Sequence, residues 1–330
     1  MTSIVDRLPR GGRVLIIRLR SLGDCVLTTP AISLLHSYRP DLTIAVMAEQ
    51  AFRPVFEGNP AVSLLPEPSV AEARAFRADL ALNLHGLQAS MELTVASRAR
   101  WRAGFSHHRS SGVYNVQIPR AQEIFGEERP VHTAEHLASA MFYLGVPRSE
   151  IPRAQLFAPP PQESLPTAPA PFAVLHPFAR TPDMTWPAER FARLAAHLRD
   201  RLLLPPVFVG LPANDFTPFR DFSCLVGGPI TGITRLMSRA ALFIGNDSGP
   251  AHVAAAFGVP VLVLFGPSDD YMAWRPWRTE HEFLKGDSTC ESIPYEAALG
   301  ALARLKARTL TSPTLKWPPS LAAGALRRMI

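Results

Sequence analysis

The stretch 241–267, ALFIGNDSGPAHVAAAFGVPVLVLFGP, gathers the side chains best suited to meet a charged ligand. Residues 241–244 form an apolar run that breaks at Gly245 and passes into the polar turn Asn246-Asp247-Ser248-Gly249-Pro250. Helical spacing over 251–257, a stop at Gly258 and a second apolar run over 261–265 complete the pattern. It predicts a strand–turn–helix–strand unit of a parallel sheet. A helix N-terminus offers unpaired N–H groups and partial positive charge, which suit phosphate. Parallel sheets bind ligands at the carboxyl ends of their strands, where this turn falls. The turn therefore reads as a site for a nucleotide diphosphate, with simple helix capping by Asp247 or Ser248 as the plainer alternative. His252, one turn into the helix, is placed to meet a phosphate or a sugar.

Asp24 stands where the first apolar run, 13–19, gives way to helical spacing over 26–38. A carboxylate at that point can draw a proton from a hydroxyl nucleophile, and a helix cap is its other reading. His132-Thr-Ala-Glu135-His136 has the H-x-x-E-H spacing of one class of zinc peptidase. Histidines at i and i+4 can share a helix face and a zinc ion. No third ligand stands out downstream, so an amphipathic helix is favoured there and no metal is expected. Asp269-Asp270 and His107-His108 read as loop residues. No phosphate-binding P-loop, dinucleotide fingerprint or serine-hydrolase elbow occurs in a fitting context, which argues against those three classes.

The elements that must position these groups alternate along the chain. In the first half, strands are expected at 13–19, 42–47, 62–65 and 80–84, with helices over 26–38, 48–56, 70–76, 88–98 and 131–144. In the second, strands at 172–176 and 206–210 and helices over 187–200 and 231–240 precede the 241–267 unit. Such alternation means α/β architecture with doubly wound parallel sheets. Residues 159–171, PPPQESLPTAPAP, contain six prolines and read as an extended linker. The expected organisation is a first domain over 1–158, that linker, a second domain over 172–308 and a tail over 309–330 with a short helix at 321–330. Two joined halves imply a ligand cleft between them.

Composition agrees with a globular enzyme: 330 residues, 47% hydrophobic and 19% charged. No apolar stretch reaches the ~18 residues of a membrane span, and the N-terminus lacks the apolar core of a signal peptide, so a cytoplasmic protein is expected. Cys25, Cys224 and Cys290 are odd in number and far apart, which opposes a disulfide framework or thiolate metal site. The net charge is +6, and of 34 basic residues only Lys285, Lys306 and Lys316 are lysine, leaving 31 arginines. Arginine grips phosphate and carboxylate in bidentate fashion, so anionic substrates or an anionic membrane surface fit. The arginines are scattered and not interleaved with aromatics, which does not fit nucleic acid.

Together these stretches resemble glycosyltransferase family 9, the bacterial ADP-heptose:lipopolysaccharide heptosyltransferases. The resemblance runs through Val14-Leu-Ile-Ile-Arg-Leu-Arg-Ser-Leu-Gly-Asp24, Asp79-Leu-Ala-Leu-Asn-Leu-His-Gly86 and Arg102-Ala-Gly-Phe105. It continues through Val174-Leu-His-Pro177, Trp186-Pro-Ala-Glu-Arg-Phe191, Gly245-Asn-Asp-Ser-Gly-Pro-Ala-His252, Leu264-Phe-Gly-Pro267 and Cys290-Glu-Ser-Ile293. It implies a GT-B fold, two Rossmann-like domains facing across a cleft, with acceptor bound by the first and nucleotide sugar by the second. It implies Asp24 as catalytic base, Asp247, Ser248, Gly249, His252 and Gly266 at the donor, and Arg20, Ser21, Gly23 and His85 at the acceptor. The implied reaction is inverting transfer of a heptose from ADP-heptose to a lipid A–Kdo-type or other acidic glycolipid, without metal or cofactor. The implied enzyme is a monomer, cytoplasmic or peripheral on the inner membrane. Three departures stand out. Met184-Thr185 occupy the place where the family usually has a lysine near the donor phosphates, with Arg180 on the same loop as its stand-in. Ala89 replaces a basic residue, and the stretch from Gly266 to Cys290 is short. A family member repurposed as a binding protein and a zinc hydrolase built on His132 and His136 are the alternatives.

Overall fold

A computed structural model describes residues 3–108, 111–158, 171–267 and 270–310. The chain divides into two compact units, Met1–Phe157 and Ala158–Ile330. Most of the expected linker (159–170), Asp269 of the acidic pair, and the tail from 311 with its expected short helix lie outside the described residues.

Unit 1 is a five-stranded parallel sheet of β1 (Arg13–Ile17), β2 (Thr43–Met47), β3 (Leu80–Asn83), β4 (Trp101–Phe105) and β5 (Val116–Ile118). The strand order is β2-β1-β3-β4-β5, so the order reverses between β1 and β3. The strands β1 to β3 are near-continuous apolar runs, as expected of a parallel sheet covered by helices. The helices of this unit are α1 (Leu22–Tyr38), α2 (Val70–Ala75), α3 (Gln88–Ala96), α4 (Ala121–Phe125) and α5 (Thr133–Leu144). Helix α1 is buried along most of its length and packs along α5. Pro30 lies inside α1 and cannot donate to the Val26 carbonyl; the Thr29 hydroxyl does so instead, at 2.8 Å.

Unit 2 is a six-stranded parallel sheet of β6 (Ala173–His176), β7 (Pro206–Gly210), β8 (Ser223–Val226), β9 (Leu242–Asn246), β10 (Val261–Phe265) and β11 (His281–Lys285). Its order is β11-β10-β9-β6-β7-β8, reversing between β6 and β9. Helices α6 (Ala188–Leu202), α7 (Ile230–Met237), α8 (Gly249–Ala256), α9 (Tyr271–Trp274) and α10 (Tyr295–Leu310) complete it. The core joins Trp186, Phe191 and Leu194 to Phe208, Leu242, Leu264 and Leu302. No helix among the described residues is long and apolar enough to cross a membrane.

Two expected elements differ. Residues 48–56 form no α-helix but only a 3-10 turn, Arg53–Val55, because Pro54 and Gly58 leave no room to propagate. Residues 62–65 contribute a single parallel bridge, Leu64 to Ala45, between Pro60 and Pro66, rather than a strand.

Candidate functional site

Ligands of open parallel sheets bind beyond the strand ends at the point where strand order reverses. In unit 1 that point lies between the ends of β1 and β3. Beyond β1 the chain runs through Arg18, Leu19 and Arg20, and Ser21 then caps α1. The Arg20–Ser21 peptide bond is cis. Asp24 occupies the third position of the helix, where its Oδ2 accepts from the Ser21 backbone N–H at 3.4 Å and from the Ser21 hydroxyl at 3.0 Å. The other oxygen, Oδ1, accepts from the Arg18 guanidinium at 2.8 Å. Asp24 is therefore cap and ion-pair partner together. The Arg18 side chain is 7% exposed and that of Asp24 25%, so the carboxylate is the end of the pair that solvent or a ligand reaches. Burial lowers the Arg18 pKa, opposed by Asp24, and Arg18 Nε also donates to the Thr28 hydroxyl at 3.3 Å.

Across the reversal point, Asn83 at the end of β3 shapes the loop that carries His85. Its side-chain oxygen accepts from the His85 and Gly86 backbone N–H groups, both at 2.9 Å, while its amide donates to Ser90 and Thr94 at 3.1 and 3.0 Å. Gly86 has φ +75° and lies so close to His108 that a Cβ would fall 2.2 Å from its ring. Neither ring nitrogen of His85 reaches a hydrogen-bond partner among the described residues. Burial and the Arg18 charge push its pKa down to about 4, with Asp24 and the nearby Arg20 backbone opposing. Arg20 is exposed beside Glu49 at 3.8 Å, Ser21 is at the cap, and Gly23 is buried in the first turn of α1. Ala89 is exposed in the first turn of α3.

In unit 2 the reversal point is flanked by His176, ending β6, and Asn246, ending β9. Asn246 is fully buried and uses both ends of its amide: Nδ2 donates to the Pro177 carbonyl at 2.8 Å, and Oδ1 accepts from the Trp186 N–H at 3.0 Å. Cys290 Sγ lies 3.6 Å from the same oxygen, and the Trp186 indole donates to the Ile293 carbonyl at 2.9 Å. One amide thus binds together the His-Pro, Trp-Pro and Cys290 segments. Ser248 is the N-cap residue of α8, with its Oγ 3.1 Å from His176 Nδ1. Burial pushes His176 down to about 4, which keeps it neutral near pH 7. Gly249 opens α8 beside Asp247, whose carboxyl is pushed up to about 6 by burial, against the pull of Arg180 and with a further push from Asp270. Arg180 is exposed. Gly266 packs against the loop at Met184: a Cβ would lie 3.1 Å from the Asp183 carbonyl oxygen and 3.2 Å from the Met184 Cα. His252 is buried on α8, its ring edge-on to Trp274 at 5.9 Å.

The paired-histidine zinc motif does not form a shared helix face. His132 is the N-cap residue of α5, and its Nδ1 accepts from the Ala134 N–H at 3.0 Å; His136 instead stacks on Phe105 at 4.0 Å. Among the described residues no three His, Cys, Asp or Glu side chains group as a metal site. Asp270 is the N-cap residue of α9. Arg18, Asn83, His176 and Asn246 were not singled out from sequence, although each sits inside a quoted motif.

A family model described as glycosyltransferase family 9 (heptosyltransferase) matches residues 71–212 and 227–293. The chain is 27% identical to lipopolysaccharide heptosyltransferase 3 of Escherichia coli K12 over 87% of its own length and 96% of the relative's. Its fold is that of a glycosyl transferase family 9 structure from Veillonella parvula, with TM-score 0.77 at 20% identity over 91% of this chain and 99% of that one. The E. coli heptosyltransferase WaaC with ADP-2-deoxy-2-fluoro heptose is also similar, with TM-score 0.68 at 20% identity over 88% of this chain and 99% of that one.

Proposed function

The chain belongs to glycosyltransferase family 9, and from that premise we propose that it moves a heptose from ADP-heptose to an acidic lipopolysaccharide inner-core acceptor, with inversion. The name of the E. coli relative and the donor analogue held by WaaC support this choice of donor and acceptor. The observation that carries it is Asp24: a carboxylate at the strand-order reversal of unit 1, fixed through both oxygens and still reachable. In the proposed step the acceptor hydroxyl gives its proton to Asp24 and its oxygen bonds to the anomeric carbon. The bond from that carbon to the β-phosphate oxygen breaks, and ADP leaves with the electron pair.

The charge gathering on ADP is met by groups of unit 2. The N–H groups at the start of α8, the Ser248 hydroxyl and the Arg180 guanidinium are the donors proposed for the diphosphate, with Asp247, Gly249, His252 and Gly266 completing that side. Arg20, Ser21, Gly23 and His85 are the residues proposed to meet the acceptor beside Asp24. The reading needs no divalent metal, no cofactor and no second subunit, and it places the enzyme in the cytoplasm or on the cytoplasmic face of the inner membrane.

The deciding measurement is ADP release and product anomeric configuration with ADP-heptose and a Kdo–lipid A acceptor, before and after EDTA treatment. Inverted product, undiminished by EDTA, is expected. ADP binding without release would favour a repurposed binding protein, a reading to which the Met184 loop lends support because it lacks the family's lysine. Arg180→Ala is expected to weaken ADP binding about tenfold, the scale of one charged hydrogen bond. Unchanged affinity by calorimetry would remove Arg180 from the diphosphate.

A further inference from the structure

Beyond the ends of β4 and β5, away from Asp24 along the sheet, unit 1 has a pocket of about 340 Å³ lined by His107, Arg120, Gln122, Val131, Thr133 and His136. We propose that this pocket is an oxyanion site, taking a phosphate monoester or a carboxylate through Arg120, His107 and His136. On the transferase reading it receives an acidic group of the acceptor; that assignment rests on the reading, whereas the anion site does not.

The lining is one-sided. It offers a guanidinium, two imidazoles, an amide and a hydroxyl, and no carboxylate. The acids on the adjoining helices are engaged elsewhere. Glu123 accepts from the Arg120 backbone N–H at 3.1 Å, and Glu135 accepts from Arg129 at 2.7 Å and from the His132 N–H at 3.0 Å. Among the described residues the Arg120 guanidinium has no carboxylate within ion-pair distance. The two imidazoles are held in place by rings. His136 stacks on the buried Phe105 at 4.0 Å and 21°, and His107 lies 5.4 Å from His136 and 4.4 Å from His108. A guanidinium beside fixed N–H donors, with no competing acid, is the chemistry that selects an oxyanion.

The same surroundings link binding to protons. Burial, together with the charges of His107, His108, Arg18 and Arg120, pushes His136 down to about 4; burial and Arg120 lower His107. Both rings are therefore neutral near pH 7. A bound anion offsets that positive field and favours the imidazolium, so occupancy raises both titration midpoints.

The test is an NMR titration of the imidazole signals of the full chain with sodium phosphate and, separately, sodium acetate, at ionic strength held constant with chloride. His107→Asn and His136→Asn assign the two signals. Saturable shifts and raised midpoints are expected for both. Arg120→Ala should weaken the apparent affinity at least about tenfold, with partial recovery in Arg120→Lys. Arg180→Ala, in unit 2, should leave the response unaltered. The anion that saturates at the lower concentration identifies the group the pocket prefers. Signals that follow neither anion beyond the chloride reference, or an Arg120→Ala protein that responds like the parent, would overturn the proposal. Loss of heptose transfer with this response intact would sink the transferase reading and leave the pocket standing.

Discussion

Unit 1 and unit 2 each carry a polar cluster where strand order reverses, but the buried centre of the first is a charge and that of the second a neutral amide. In unit 1 the Arg18 guanidinium is held out of water and balanced by one carboxylate, Asp24, which remains partly exposed. In unit 2 Asn246 uses both amide ends to bind three loop segments and carries no charge at all. A buried ion pair is costly to assemble and fixes a carboxylate in one orientation, which suits a proton acceptor. A satisfied neutral network costs little electrostatically and rigidifies the loops around it, which suits a platform for an anionic ligand.

Asp24→Asn tests the charged half of that contrast and has the largest expected effect. A positioned base typically contributes about 10²–10⁴-fold, and turnover should fall on that scale with ADP affinity nearly unchanged. The variant also removes the counter-charge of a buried guanidinium. Breaking a fully buried pair costs about 3–5 kcal/mol, and the partial exposure of Asp24 places the loss below that range. Circular dichroism at the assay temperature separates the two effects. Turnover within a few-fold of the parent, in a folded protein, would take the base role away from Asp24.

Asn246→Ala tests the neutral half. It strands the Trp186 N–H and the Pro177 carbonyl in the core of unit 2, at about 1–3 kcal/mol for each unpaired group. Chemical denaturation should show a destabilised chain with weakened ADP binding, and the phosphate response of the unit 1 pocket should survive while the chain is folded. A variant as stable as the parent would mean the three segments are held by packing alone.

How far the sequence revealed these sites follows from the range of the interactions. The β9–α8–β10 unit was legible because each apolar run is bounded by turn residues and the whole pattern is local. Strands β4, β5, β8 and β11 were missed. Of these, β5, β8 and β11 are sheet edges, and β8 and β11 are only part-buried, with no alternation or apolar run to mark them. Strand β4 lies inside its sheet, but its sequence Trp101-Arg-Ala-Gly-Phe105 breaks the apolar run with an arginine and a glycine. Asp24 was legible from its position at a strand–helix junction. Arg18 was not, because a lone arginine ending an apolar run reads as an exposed strand terminus until the fold closes Asp24 over it. His132 was placed inside the helix, one position too far, for a related reason. Sequence periodicity places helix ends only to within a residue or two, and at the N-cap position its ring turns to the backbone instead of facing His136. The stack of His136 on Phe105 joins a helix to a distant strand and leaves no trace in local spacing.

The last prediction sets the two reversal-point carboxylates against each other. Burial pushes the Asp247 carboxyl up to about 6 in the folded chain, against about 3.9 for an unfolded aspartate. Below pH 4 both states hold the proton and Asp247 contributes nothing. Between pH 4 and 6 the folded state keeps the extra proton, so stability falls as pH rises; above pH 6 the full penalty stands, at most about 3 kcal/mol. Asp247→Asn should therefore match the parent in thermal stability near pH 4 and exceed it near pH 7.5, whereas Asp24→Asn is destabilising at neutral pH. A residue that costs stability where it sits, beside a helix N-terminus and Arg180, is what a site shaped for a ligand rather than for folding would contain. Melting curves of parent and Asp247→Asn that stay parallel from pH 4 to 7.5 would show that Asp247 carries no such penalty, and the contrast between the units would then rest on Arg18 and Asn246 alone.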